Sequence, residues 1–229
     1  MSRVHADWLL TAQRAAIHLP TRTAVVADLH LGYDLARIRG GDAVPVVGLA
    51  ETIASLTTAL TEHAVRRLVI AGDLFESSAG HAVAEELLSW LRGIGVPLVG
   101  IVPGNHDGDL GRHVPALPTF PDGVELGRWR VVHGHGNLPA GPLVLGHFHP
   151  CLRLPGGSRA PCYVIGPGRI ILPAFSQDAA GVNVLGHSRW RTYHCHAIAG
   201  NRVLDFGPLA RLHFKKGSDP LESRGLTPF

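Results

Sequence analysis

Short apolar runs, each ending in a polar cluster, recur along the chain, and their periods separate strands from helices. Thr23–Ala27 is an apolar run of strand length that stops at Asp28-Leu29-His30. From Glu51 to His63 the apolar positions Ile53, Leu56 and Leu60 recur at helical spacing. Arg67–Ala71 is a second strand, ending at Gly72-Asp73. His81–Leu91 carries the helical stripe Val83, Leu87, Leu88 and Leu91, which Gly93 and Gly95 close. Val96–Val102 is a third strand and runs into Pro103-Gly104-Asn105-His106-Asp107. Beyond that point the helical signal fades. Arg130–Val132 ends at His133-Gly134-His135, and Leu143–Leu145 ends at Gly146-His147-Phe148-His149. Tyr163–Ile165, Ile170–Leu172, Val182–Leu185 and Val203–Phe206 read as further strands between Gly/Pro turns. A βαβα-like first half and a mostly β second half predict a layered α/β (α+β) fold, with polar residues at the C-terminal ends of the strands. The pattern predicts one domain over residues 1–212 and a flexible tail over 213–229.

Composition narrows the function classes. Of the 229 residues 45% are hydrophobic, which excludes a disordered chain. No apolar run approaches the ~20 residues that span a bilayer, so no membrane partner is expected. Met1 to His18 carries Arg3, His5, Asp7 and Arg14 without an apolar secretory core. Cys151, Cys162 and Cys195 are too widely spaced for a CxxC metal pair or a disulfide framework. These features point to a cytoplasmic protein. The net charge of +3 says little about partners, whereas 15 histidines against 18 carboxylates is an excess that calls for a reason.

That reason lies in position. Asp28/His30, Asp73, Asn105/His106/Asp107, His133 and His147/His149 each follow an apolar run beside a glycine. Singly, each reads as a helix cap or a hydrogen-bonded turn residue. Five such clusters, all with oxygen or imidazole donors, match two divalent cations that share one carboxylate, at the ~3.5–4 Å spacing of two-metal phosphoester chemistry. A donor set without thiolate disfavours a structural zinc site and suits Mn2+, Fe2+ or Zn2+. The positive charge of such a pair suits an anionic phosphoester.

The ordered motifs DLH (28–30), GDLF (72–75), GNHD (104–107), HG (133–134) and GHFH (146–149) resemble the calcineurin-like metallophosphoesterase superfamily. The wording of the motifs, with GPGRIILPAFS at 166–176, is similar to the small SbcD-related nucleases and the ligase-associated DNA endonuclease branch. The resemblance implies a β-sandwich flanked by helices, with a bimetal site at the strand ends and Mn2+ as the first expectation. It assigns Asp28, His30 and His149 to one metal, Asp73 to both, and Asn105, His133 and His147 to the other. His106 would protonate the leaving oxygen or stabilise the transition state, and Asp107 would orient His106. The implied activity is a phosphodiesterase with a two-metal mechanism, foremost a DNA endonuclease in DNA repair with possible DNA ligase or helicase association.

Phosphodiesterases of small or cyclic nucleotides and phosphomonoesterases stay open, as does a protein-binding scaffold of the same fold, although such scaffolds have lost ligands and no member of the core set is missing here. The larger SbcD-type nucleases carry a DNA-capping domain for which this length leaves no room, so DNA contacts are expected from loops. Arg37 and Arg39 are candidates on a loop after the first motif, as are Arg112 and His113 after GNHD. No aromatic-plus-basic stripe marks a single-strand platform. His135 is expected behind the site or in solvent. His194-Cys195-His196 reads as a surface strand with both imidazoles on one face.

Overall fold

The computed structural model describes residues 1–46, 49–77, 83–108, 110–179 and 181–212. The tail expected over 213–229 lies outside the described residues. A first sheet contains β1 (Ser2–Val4), β2 (Trp8–Leu10), β3 (Ala16–His18), β4 (Thr23–Val26), β5 (Arg67–Ala71) and β6 (Leu98–Val102), side by side in chain order. Strands β1 to β4 pair antiparallel, while β4, β5 and β6 pair parallel. Helices α1 (Tyr33–Arg39), α2 (Leu49–Thr52) and α3 (Ala54–Glu62) connect β4 to β5, and α4 (Ala84–Gly93) connects β5 to β6.

The second half follows α5 (Leu110–His113). It forms β7 (Val124–Leu126), β8 (Trp129–Val132), β9 (Leu143–Leu145), β10 (Pro150–Arg153), β11 (Arg159–Gly166), β12 (Arg169–Ile171) and β13 (Val182–Asn183). Their order in the second sheet is β13-β10-β11-β12-β9-β8-β7. Strands β14 (His194–Ala199) and β15 (Arg202–Pro208) join it through β11. Neighbours β8, β9 and β12 run parallel, as the central strands of the first sheet do.

Strand alternation divides the side chains among three cores. Ala24, Val26, Leu68 and Ile70 meet Leu56, Leu60, Leu87 and Leu91 of the helices. The intervening Val25, Val69 and Ala71 face Val131, Val144 and Tyr163 across the two sheets. Leu143, Leu145, Val164 and Cys195 point to the outer side of the second sheet, where Trp190 covers them. With both faces covered, β4 is buried throughout, which is why its sequence reads as a continuous apolar run. The predicted β-sandwich with flanking helices is the observed architecture. Among the described residues, no helix is long and apolar enough to cross a membrane.

Local departures have local causes. The predicted 51–63 helix is two helices, broken at Ile53, whose φ and ψ of −99° and 7° leave the helical region. Of the predicted 81–91 helix, residues 81 and 82 lie outside the described residues. The segment bearing Arg37 and Arg39 is helix α1 rather than a loop, and Arg37 is paired with Asp42 at 2.7 Å. Strands β1, β2 and β3 span three residues each, too short for a period to register. Cys151, Cys162 and Cys195 are buried free thiols.

Tyr163 ties the halves together: its buried hydroxyl donates to the carbonyls of Thr11 (2.8 Å) and Ala15 (3.1 Å). Tyr163→Phe is expected to cost about 1–2 kcal/mol in chemical denaturation, because the hydrogen bond is lost inside a dry core.

Candidate metal centre

The parallel strands β4, β5, β6, β8 and β9 end at one edge, and each of these endings carries one of the motifs. Asp28 and His30 follow β4, Asp73 follows β5, and Asn105, His106 and Asp107 follow β6. His133 follows β8, and His147 and His149 follow β9. The first sheet therefore contributes the carboxylates, and the second contributes three imidazoles.

The backbone bends sharply to achieve this. Ten described non-glycine residues have positive φ, and five of them are Asp28 (56°), His30 (49°), Asp73 (45°), His147 (68°) and His149 (43°). Left-handed backbone costs a side-chain-bearing residue about 1–2 kcal/mol, and such outliers concentrate at functional sites. Glycines supply the space that crowding demands. A Cβ placed on Gly104 would lie 2.1 Å from Asp73 Oδ1 and 2.5 Å from Asp73 N. One on Gly72, itself at φ 85°, would overlap the His133 ring.

His30, Glu76 and His106 make one donor group with ligand atoms within 4.8 Å of one another, and two more such groups lie beside it: Asp28, His30, Asp73 and His149, and Asp73, His133 and His147. The latter two share Asp73. Asp28 is fully buried, and its Oδ1 lies 3.0 Å from His133 Nε2 while both oxygens accept from the His147 backbone N–H. Asp73 Oδ1 accepts from the His106 backbone N–H (2.9 Å), and Oδ2 stands 3.4 Å from His133 Nε2. His30 Nε2 and His149 Nε2 are buried without a hydrogen-bond partner. Buried polar atoms almost always have partners, so these bare nitrogens, facing carboxylates, fit a divalent cation. Asn105 is exposed, in the turn between Gly104 and His106.

Electrostatics bind the cluster together. Burial alone would push the Asp73 carboxyl up, but the His133 hydrogen bond and charge outweigh it and bring it to about 2. Burial would likewise depress His133, yet Asp28 and Asp73 raise it to about 9. Burial lowers the pKa of His30 and of His147, which keeps these imidazoles neutral and ready to ligate.

His106 is half-exposed, with its ring edge-on to His30. The orienting contact expected of Asp107 falls to Glu76 instead: His106 Nδ1 lies 3.1 Å from the Glu76 carbonyl oxygen and 3.7 Å from its carboxylate. The Asp107 carboxylate accepts from the backbone N–H groups of Gly104 (2.8 Å) and Phe75 (3.2 Å). It therefore staples the β5 and β6 endings together from a buried position. Glu76 also approaches His30 Nδ1 at 2.7 Å. Its position directly after GDLF was the available signal, and the sequence reading gave it no role. His135 Nδ1 stands 2.9 Å from His133 Nδ1, a contact that fixes the His133 ring from behind.

Sequence reasoning also missed Arg14. Its guanidinium donates to the carbonyls of Ala174, Phe175 and Ser176, and the backbone N–H groups of Phe175 and Ser176 donate to Ala27 and Asp28. This latches the second sheet onto the end of β4. An Arg–aromatic stack went unseen as well: Arg189 lies over Phe148 (5.3 Å) and Trp190 (5.6 Å), beside His147 and His149. Residues 148 and 189–190 are too far apart in sequence to show a stripe.

Gly104→Ala is expected to weaken divalent-metal binding about 10–100-fold in calorimetry, because it displaces Asp73. In metal-free protein, the part of the parent's stability advantage over His133→Gln that comes from the His133 proton should be full below pH 6.5 and be lost as pH rises through about 9, since the folded state holds that proton more tightly than the unfolded chain. Urea denaturation across that range measures it.

A search of curated proteins finds no match to this chain. Among solved structures the chain is similar to the crystal structure of the Pseudomonas putida nuclease MPE, with a TM-score of 0.69 and 23% sequence identity over 88% of this chain and 96% of that one. At that identity the likeness concerns the fold. The family model for calcineurin-like phosphoesterases matches residues 21–208, a span that holds every donor described above. This chain belongs to the calcineurin-like phosphoesterases, hydrolases that act on phosphoester bonds with divalent metals.

Proposed function

We propose that the chain is an endonuclease that hydrolyses phosphodiester bonds of DNA, working with two divalent cations, Mn2+ foremost, in DNA repair. The observation that carries this reading is the pair of His/Asp groups sharing Asp73 with an exposed imidazole, His106, alongside. Asp28, His30 and His149 would hold one cation, His133, His147 and Asn105 the other, and Asp73 both. Cations so held supply charge neutralisation and water activation for phosphoester hydrolysis. His106 delivers a proton to the departing oxygen. Its Nδ1 is engaged by the Glu76 carbonyl, so Nε2 is the nitrogen that exchanges the proton. Glu76 positions that ring.

A polymeric substrate is supported by the surroundings. One cleft of about 400 Å³ is lined by His133, His135 and Arg130, and another of about 440 Å³ by His149, Arg14 and Arg159. The groups sharing Asp73 thus adjoin clefts, and the one beside His149 carries the exposed Arg159, which suits phosphates. The Arg189–Phe148 stack offers a face for a base beside the metal groups. The solved fold relative is named a nuclease. A cytoplasmic location is supported by the widely spaced free cysteines, and an association with DNA ligase or helicase by the sequence resemblance.

Mn2+-dependent nicking of plasmid or single-stranded DNA, abolished by EDTA, is the expected activity. His106→Ala should lower the rate about 10²–10⁴-fold, and Asp73→Asn should abolish it. Undiminished cutting by either variant would overturn the mechanism. Much faster hydrolysis of phosphomonoesters or cyclic nucleotides than of DNA would overturn the substrate.

A further inference from the structure

Away from the bimetal edge, a second set of imidazole and carboxylate donors lies on β14 and β15. His194 and His196 are two residues apart on β14, so both project from one face, and Asp205 is the cross-strand partner of His196 on β15. A register shift between His194 and His196 brings both rings to that one carboxylate. The rings lie nearly parallel, with centroids 6.3 Å apart. His194 Nδ1 is 3.4 Å and His196 Nε2 is 3.8 Å from Asp205 Oδ1.

These separations exceed the usual 2.7–3.2 Å of an N–H···O bond. They fit donors sharing an ion, because metal bonds of ~2.1 Å at a tetrahedral centre put ligand atoms ~3.4 Å apart. The surroundings complete the case. His196 is buried (6% exposed), and its other nitrogen, Nδ1, lies 3.2 Å from the Ser2 hydroxyl of β1. A serine on Nδ1 can fix the tautomer that leaves the Nε2 lone pair toward Asp205, the device by which ligating histidines are oriented. Asp205 Oδ1 also accepts from the Gly207 backbone N–H at 2.7 Å, which holds the carboxylate in place. His194 and Asp205 are about half exposed (46% and 47%), which leaves solvent to supply the remaining coordination.

We propose that His194, His196 and Asp205 form a second, independent metal site for an imidazole-preferring ion of the Zn2+ class. No residue is shared with the groups around Asp73, and β14 lies three strand spacings from β9, about 14 Å across the sheet. Two imidazoles and one carboxylate favour Zn2+ over the harder Mg2+ or Ca2+. Because Ser2 belongs to the first sheet and His196 to the second, an ion here fastens the seam between them. The inference stands whether or not the substrate is DNA.

The test is equilibrium dialysis of the full chain against Zn2+ with elemental analysis, on the parent and on His194→Ala and Asp205→Asn, with folding checked by circular dichroism. Each variant alters an exposed side chain, so failure of one to fold leaves the other. Each should bind about one zinc fewer per chain than the parent and lose the thermal stabilisation that this zinc confers, while phosphoester hydrolysis is unchanged. A zinc content equal to the parent's in a folded variant overturns the proposal. Asp73→Asn separates the two sites: it should reduce metal bound at the bimetal edge and leave the zinc lost in His194→Ala in place.

Discussion

The arrangement depends on two carboxylates, Asp28 and Asp73, held ionised in a buried place. Uncompensated, charges there would be driven to neutrality. The imidazolium of His133 between them prevents that in the metal-free protein, and this one contact explains both the depressed Asp73 and the raised His133. A divalent cation held here would take over the same role with greater charge, and His133 would have to give up its proton to join it. Cation and proton therefore compete for one position, and acid conditions disfavour metal.

Keeping the carboxylates in register falls to backbone and support residues more than to the donor side chains themselves. Left-handed turns after β4, β5 and β9 aim side chains that an extended strand would send to alternate faces. Asp107 joins the β5 and β6 endings, and the Arg14 latch joins the second sheet to β4. The strain in the turns is held by these buried hydrogen bonds and by three apolar cores.

Much of this was legible in the sequence because strand endings leave a local signature. An apolar run followed by Gly and a His or Asp marks both the strand and the point where it delivers a side chain, so the Asp28, Asp73, His133 and His147 endings could be read without coordinates. Roles set by contact across the fold could not. Asp107 sits next to His106 in sequence, and adjacency suggested a partnership, but successive residues point apart and Asp107 turns inward to amide groups. Glu76, thirty residues from His106, reaches it through the backbone carbonyl, which no side-chain pattern encodes. The three-residue strands β1 to β3 likewise gain their strand character from pairing partners rather than from a period of their own.

The division of donors between the sheets has a further consequence. Neither group sharing Asp73 is complete within one half of the chain: the carboxylates belong to the first sheet, while His133, His147 and His149 belong to the second. A folding intermediate with only its first sheet formed would offer aspartates and His30 without the opposing imidazoles. High-affinity coordination thus reports that both halves have docked, and the free energy of coordination acts on the docking step itself. In such a chain a bound cation would serve as a checkpoint of assembly, taken up tightly only once the sandwich has closed.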